Sequence, residues 1–302
     1  MRAFTTITVL SLAACGGGST TSKPDAQDIG FELPTDVLHA NMQGSAGPTD
    51  LGPADLSCYQ TASTDTATTV QVTLMATVKD FQNQTPVPNA MVTAFQTIDY
   101  QHPFDTQTSD SSTGDVTVTV PVGTVRFGFQ MTTTDGKTMP TFLLNQYVDP
   151  NMASQNLGKI QSVSTGTAEL LPALIGETRM TGTGVVAGAL RDCSMHEISN
   201  FVATVSSSEG TATPIAGAEA YYFQFAGGMD LPTHHMGQES ASGDGLFMVI
   251  QLPAAPTAYV QMWGFPTAAD LASGQLKLVS ELQVPVVADT VVTGSFELLR
   301  SQ

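Results

Sequence analysis

The sequence has few basic residues. Lysine and arginine together number 10, against 27 aspartate and glutamate residues, so the formal net charge at pH 7 is −17. The basic residues are scattered along the chain. Because nucleic-acid binding requires a basic surface that neutralises phosphates, this composition excludes a nucleic-acid-binding protein. The same negative charge disfavours direct adhesion to anionic lipid.

The sequence also lacks an apolar run of about 20 residues, which a membrane-spanning helix needs. The apolar run over residues 3–12 is shorter, follows Arg2 and leads into Leu12-Ala13-Ala14-Cys15. A short apolar run that ends in small residues is typical of a removable leader, so we predict a signal peptide over residues 1–14. The last four residues resemble the lipobox of bacterial lipoproteins. The alternative is an ordinary secretory signal followed by an unrelated cysteine.

The resemblance implies that Cys15 carries lipid and is the membrane contact of the protein. Several acyl chains would hold it stably, since one chain alone binds membranes only marginally. The Gly/Ser run at 16–22 is typical of a flexible tether. Residues 15–66 are rich in Pro, Gly, Asp, Ser and Thr without a sustained period, so we predict a flexible linker there. The expected location is the cell envelope, at the outer membrane of a Gram-negative bacterium.

Cysteine is scarce, with three residues in 302. If Cys15 is lipidated, Cys58 and Cys193 remain, and an even pair in an exported protein favours a disulfide. Two buried free thiols are the alternative. Each of the two cysteines precedes one copy of the internal repeat described below, so we expect the bond to join one copy to the other.

Catalytic motifs are also lacking. The chain has no Gly-x-Ser-x-Gly elbow, phosphate-binding loop or dinucleotide fingerprint. His234 and His235 are adjacent, and neighbouring residues of an extended chain point in opposite directions. His196-Glu197 begins like a zinc-binding helix, but the second histidine is missing. We therefore predict no metal, no cofactor and no enzymatic activity.

Two acidic turns are candidate calcium sites, one with Asp110 and Asp115 and the other with Glu239 and Asp244. Calcium prefers six to eight oxygen ligands with several carboxylates close together. These turns are too sparse, so we expect the aspartates to serve turn geometry instead.

The body of the chain contains an internal repeat. Residues 85–92 (TPVPNAMV) match 213–220 (TPIAGAEA), and residues 112–115 (STGD) match 241–244 (ASGD), at a nearly constant offset of about 130 residues. Apolar and polar residues alternate, which predicts strands. The predicted strands cover 70–78, 116–120, 125–131, 246–252, 259–265 and segments of 284–299. We expect 116–120 with 125–131, and 246–252 with 259–265, to form hairpins, the second more deeply covered.

A short helix is predicted over residues 167–175, with Ser164 as its N-cap and Gly176 as its stop. Pro172 should limit it to one or two turns, at the junction of the two copies.

The repeated segments resemble the carboxypeptidase regulatory-like domain, a transthyretin-like β-sandwich, over most of 67–131 and 183–266. The motif at 86–92 carries this resemblance, while the second copy departs from it between Cys193 and Thr213. The resemblance implies an all-β protein with two tandem prealbumin-like β-sandwiches, at 67–163 and 180–302, joined by a helical or irregular connector at 164–179. The family implies no catalytic residues.

Aromatic residues are concentrated in one predicted strand, where Tyr221, Phe223 and Phe225 share a face. Together with Trp263 they could stack on sugar rings if exposed, although sandwich core is the more usual role. The sequence thus predicts an anchored, non-catalytic binding or structural module. A carbohydrate-binding surface lipoprotein and an accessory subunit of an envelope complex are the alternatives, with an unknown glycan or protein partner.

Replacing Cys15 with alanine removes the predicted lipid attachment. We expect the Cys15→Ala protein to leave the membrane fraction, because no other predicted segment anchors it. Cell fractionation with immunodetection measures this, and Ser19→Ala in the adjacent Gly/Ser run is the matched control. Equal membrane retention of both variants would contradict lipidation.

Overall fold

Residues 33–234 and 238–301 are described in a computed structural model, so the leader, Cys15 and the Gly/Ser run lie outside the described residues. The first ten strands are β1 (His39–Met42), β2 (Thr49–Pro53), β3 (Val72–Asp80), β4 (Met91–Gln96), β5 (Asp105–Thr108), β6 (Asp115–Val120), β7 (Phe127–Thr132), β8 (Thr138–Met139), β9 (Thr141–Gln146) and β10 (Ser154–Ser164). The others are β11 (Thr183–Arg191), β12 (Glu197–Ser199), β13 (Phe201–Ser206), β14 (Glu219–Ala226), β15 (Met229–Thr233), β16 (Leu246–Pro253), β17 (Ala255–Gly264), β18 (Lys277–Val286), β19 (Val291–Gly294) and β20 (Phe296–Glu297). The two helices are α1 (Thr165–Leu174) and α2 (Ala268–Ser273).

The predicted all-β fold is confirmed. A long sheet runs in the order β15-β14-β16-β11-β19-β9-β7-β4-β5, with β1, β2, β12 and β20 attached beside it. A four-stranded sheet has the order β6-β3-β10-β8, and a three-stranded sheet has the order β13-β17-β18. The long sheet includes strands from both copies of the repeat, because β9 pairs with β19 in parallel register.

The predicted alternation is confirmed in β3, where Val72, Leu74 and Val78 are buried while Met75 is exposed. The three buried residues form one core, called the first core, with Val92 and other apolar residues of β4, β6, β7 and β10. A β-sandwich therefore lies between the four-stranded sheet and one part of the long sheet.

The other face of the long sheet packs against a second core. Phe95 follows Ala94 in β4, and Cβ atoms of neighbouring strand residues point to opposite faces. Ala94 belongs to the first core, whereas Phe95 packs with Phe201 of β13 and Val260 of β17. The three-stranded sheet thus covers the face opposite to the one that the four-stranded sheet covers.

Both predicted hairpins are wrong. Strand β6 pairs with β3 and strand β7 pairs with β4, in different sheets. Strand β16 pairs with β14 and β11, whereas β17 pairs with β13 and β18. Alternation shows which side chains face a core, and two consecutive strands can face the same core from opposite sheets. The deeper covering of the second pair agrees with the burial of most residues in β16.

The two copies agree locally and differ in pairing. Pro86 bridges Lys79, and Pro214 bridges Ser206 at the equivalent position. In the first copy β3 then pairs with the strand that follows Gly114, but in the second copy β13 pairs with β17. The repeat in the sequence therefore preserves the turn and not the strand order around it.

The predicted linker is wrong for residues 33–61, which form part of the fold. Strand β1 pairs with β12 and β2, Leu38 and Ala40 are buried, and the Tyr59 hydroxyl donates to the carbonyl of Leu278 at 2.8 Å. Strand β12 and Leu278 lie more than a hundred residues away from this segment in the chain, so local composition could not indicate them.

The predicted helix is confirmed at its N-cap, since the Ser164 side chain accepts a hydrogen bond from the amide of Thr167. Helix α1 lies between the two copies, as expected. It has 10 residues and contains Pro172, so the predicted limit of one or two turns was too short. Pro172 has no amide hydrogen to donate to the carbonyl of Ala168, so one intrahelical hydrogen bond is lost, yet the helix continues to Leu174.

The predicted disulfide is confirmed. Cys58 is bonded to Cys193, with a Cα–Cα distance of 5.6 Å and a sequence separation of 135. Leu56, Cys58 and Tyr59 pack against the second core. The bond therefore ties the N-terminal segment to the second half, and the expected link from one copy to the other is wrong because Cys58 does not lie on the first sandwich.

Loss of this disulfide should destabilise the fold. Cys58→Ser should lower the free energy of unfolding by about 2–5 kcal/mol, because the bond closes a long loop in the unfolded chain. Urea denaturation measures this, with Cys15→Ala as the cysteine control. An unchanged midpoint in Cys58→Ser would contradict a stabilising role.

Candidate functional site

A groove of about 530 Å³ lies on the long sheet, beside the four-stranded sheet. Its floor is formed by β11, β16 and β19. Its walls include Leu157 and Val163 of β10, Leu171 of α1, and Gln43 and Gly44 from the turn between β1 and β2. The groove is therefore built from both copies of the repeat and from the N-terminal segment.

The groove exists because the side chains on its floor are small. Ala187 and Ala189 of β11 point into the groove and are half-buried, while the alternate residues Val186 and Leu190 point into the second core. Gly188 lies between the two alanines on the core side. A Cβ atom there would lie 2.3 Å from the Phe296 ring, so glycine is needed for that packing.

One end of the groove is aromatic. Phe223 and Phe225 of β14 line it, as the predicted shared face requires. Tyr221 and Phe223 are buried, with 3% and 4% of their surface exposed, and the Tyr221 hydroxyl donates to Glu219. Trp263 packs in a separate cluster near Phe265, so the structure does not bring all four predicted aromatics together.

The same end of the groove contains a buried carboxylate. Asp244 is 2% exposed, and its Oδ1 accepts the amide hydrogen of Leu246 at 2.9 Å. Its Oδ2 has no hydrogen-bond partner in the part of the chain that the structure describes. Gly245 holds the turn with φ 64°, and a Cβ there would approach the carbonyl oxygen of Ile198 at 3.0 Å.

The pKa of Asp244 is raised to about 7, mainly by burial; the amide of Leu246 opposes this shift and the nearby Asp230 adds to it. Partial desolvation also raises the pKa of Asp230. Asp230 lies opposite Phe225 in the pair of β14 and β15 and lines the same groove. Two carboxyl groups that resist ionisation thus share one end of the groove with two phenyl rings.

The other acids of the groove are neutralised. Glu197 accepts from Arg191 at 3.3 Å, and Glu297 forms two hydrogen bonds of 3.1 Å with Arg126. Arg126 also stacks on the ring of Tyr147. Among residues 33–234 and 238–301, the groove acids without an ion pair are Asp230 and Asp244.

The predicted turn chemistry is seen at Asp110, whose Oδ1 accepts from the amides of Ser112 and Thr113, both at 2.8 Å. These hydrogen bonds hold the pKa of Asp110 well below its usual range. Asp115 accepts from the Thr77 hydroxyl at 2.6 Å. Asp244 has the same turn role through Oδ1, but its burial was not evident from the sequence.

The described residues include no group of three His, Cys, Asp or Glu side chains placed to hold a metal ion. His234 is exposed, and His235 lies outside the described residues. His196 lies 3.6 Å from Asp192. No helix within the described ranges is long and apolar enough to cross a membrane.

No family model matches the sequence, and no curated protein matches it. Among solved structures, the chain is similar to the Bacillus anthracis TIE protein at 11% identity and a TM-score of 0.25, covering 77% of this chain and 35% of that one. It is also similar to the shaft pilin SpaA from Lactobacillus rhamnosus GG, at 10% identity and a TM-score of 0.23, covering 76% and 98%. A third similarity is to the major pilin subunit of Bacillus cereus, at 8% identity and a TM-score of 0.23, covering 73% and 69%. Similarities this weak carry no argument about this chain.

The raised pKa of Asp244 predicts a pH-dependent stability. The unfolded chain ionises this group near pH 4 and the folded chain near pH 7, so its contribution to stability is lost as pH rises through this range. Asp244→Asn keeps the bond to Leu246 and should raise the free energy of unfolding at pH 8 by about 2–4 kcal/mol, with little effect at pH 4.

Urea denaturation of both proteins at pH 4 and pH 8 measures the difference. Asp110→Asn is the control: the lowered pKa of Asp110 stabilises the fold, and this stabilisation is lost only below about pH 4. Asp110→Asn should therefore lower the free energy of unfolding by about the same amount at both pH values. An equal effect of Asp244→Asn at both pH values would contradict the raised pKa.

Proposed function

We propose that the protein is a lipid-anchored component of the bacterial cell envelope whose folded part is a non-catalytic binding module. The observation that carries this proposal is the disulfide between Cys58 and Cys193. Disulfides persist in oxidising compartments outside the cytosol, which supports export. Cys15, which follows the leader, is then the cysteine left for lipid.

The groove supports a binding role. Its volume of about 530 Å³ lies within the range of roughly 300–1,000 Å³ that small-molecule sites occupy. It combines an apolar floor with a few polar groups, and such concave sites bind ligands in many proteins. A buried, unpaired carboxyl oxygen in its wall costs stability, which favours a functional reason for Asp244.

The proposed architecture is two carboxypeptidase regulatory-like sandwiches, at 67–163 and 180–302, with a connector at 164–179. The local agreement of the turns at Pro86 and Pro214 supports it. The sandwiches share the long sheet through β9 and β19, so they would act as one body. The proposed location is the outer membrane of a Gram-negative bacterium, by way of the lipid on Cys15.

Carbohydrate binding is a second candidate. Phe223 and Phe225 line the groove together with Gln43, Gln146 and Gln161. Aromatic rings beside amide groups suit a sugar, which presents apolar faces and hydroxyls.

A pull-down tests the binding module. The soluble Cys15→Ala chain should retain one component from fractionated cell envelope, while a variant with the groove filled, Ala187→Leu, retains less of it. Retention from the polysaccharide fraction would identify a glycan partner, and retention of one membrane protein would identify an accessory subunit. Equal retention by both variants would contradict the groove as the site, and retention of nothing would contradict an envelope partner.

A further inference from the structure

We propose that the groove binds an organic cation, with a primary ammonium group between Asp244 and Asp230 and an apolar body along the floor of β11. This inference rests on the proposed binding function and specifies its ligand class. It is carried by the buried Oδ2 of Asp244, which has no partner within the described ranges.

An ammonium group satisfies what this end of the groove lacks. Asp244 is 2% exposed, and a buried carboxylate is stable only when it is paired and hydrogen-bonded. A primary ammonium offers three donors and a positive charge, so we assign one donor to Oδ2 of Asp244 and another to Asp230, which lines the same groove.

The aromatic neighbours favour a cation over a neutral donor. Phe223 and Phe225 line the same end, and the face of a phenyl ring attracts a positive charge. The other acids, Glu197 and Glu297, are already paired with arginines, so they do not compete for the ligand.

The cations that line the groove have partners of their own. Arg191 is paired with Glu197, and Lys159 on the β10 wall donates to Gln84 at 3.1 Å. An anionic ligand would meet two unpaired carboxyl groups, and a metal ion would lack a third protein carboxylate or histidine among the described residues. These contacts select an organic cation.

The rest of the groove lining is apolar, which is why we expect the ligand to have an apolar body. Ala187, Ala189 and Val291 form the floor, with Leu157 and Leu171 in the walls. An alkyl chain would remove this apolar surface from water, which favours binding.

Isothermal titration calorimetry with n-hexylammonium tests the proposal. The full chain carrying Cys15→Ala is titrated at pH 8, where Asp244 is ionised, with n-hexanol and hexanoate as matched probes. We expect hexylammonium to bind at least about tenfold more tightly than hexanol, because a buried charge pair adds to the apolar contact. Hexanoate should not bind.

Variants assign the binding to the groove. Asp244→Asn and Asp230→Asn should each weaken hexylammonium at least about tenfold, and Ala187→Leu should weaken hexylammonium and hexanol alike. Asp135→Asn, which removes an acid outside the groove, is the matched control and should bind as the parent does. Urea denaturation of each variant separates lost binding from lost folding.

Equal binding of hexylammonium and hexanol would overturn the proposal, as would unchanged binding in Asp244→Asn or no binding at millimolar concentration. Since the soluble chain is used, these outcomes refute the ammonium site alone. Failure of the proposed envelope function would appear in other experiments. Cys15→Ala and Ser19→Ala would then stay in the membrane fraction alike, and the pull-down would retain nothing. The two failures are therefore distinguishable.

Discussion

The parallel pairing of β9 with β19 is the interaction on which the rest of the structure depends. Thr141 and Leu144 of the first half lie opposite Val291 and Gly294 of the second. A Cβ on Gly294 would lie 2.8 Å from the carbonyl oxygen of Leu144, so the close approach of the two strands requires glycine. This pairing turns two separate sheets into one long sheet, whose two faces must both be covered by apolar partners.

The elements that pack on the two faces of the long sheet determine where the groove lies. The three-stranded sheet closes one face with Phe201 and Val260. On the other face, the four-stranded sheet covers β4 and β7, and α1 packs near Tyr221 and Ile250. Ala187 packs at the edge of the α1 cluster, and both Ala187 and Ala189 of β11 stay half-buried. The groove is therefore a consequence of how the halves join, and it exists in neither half alone.

The carboxyl group of Asp244 orders a turn and is destabilised by its own burial. Its Oδ1 serves the turn before β16, while burial of the rest of the group disfavours the charged form. Groups with strongly shifted pKa values cluster at functional sites. The turn at Asp110 shows the less costly solution, since its carboxylate remains exposed to water.

Local sequence determined much of this protein. Alternation in β3, the N-cap at Ser164 and the pairing of two remaining cysteines were all readable, because each depends on neighbouring residues or on a small number of candidates. The tertiary structure alone decided the partners of β6, β7, β16 and β17, the packing of residues 33–61, and the burial of Asp244. An apolar residue in a strand must face a core, but its own sequence does not state which strand lies beside it. That choice depends on contacts between residues far apart in the chain, and the groove depends on the same contacts.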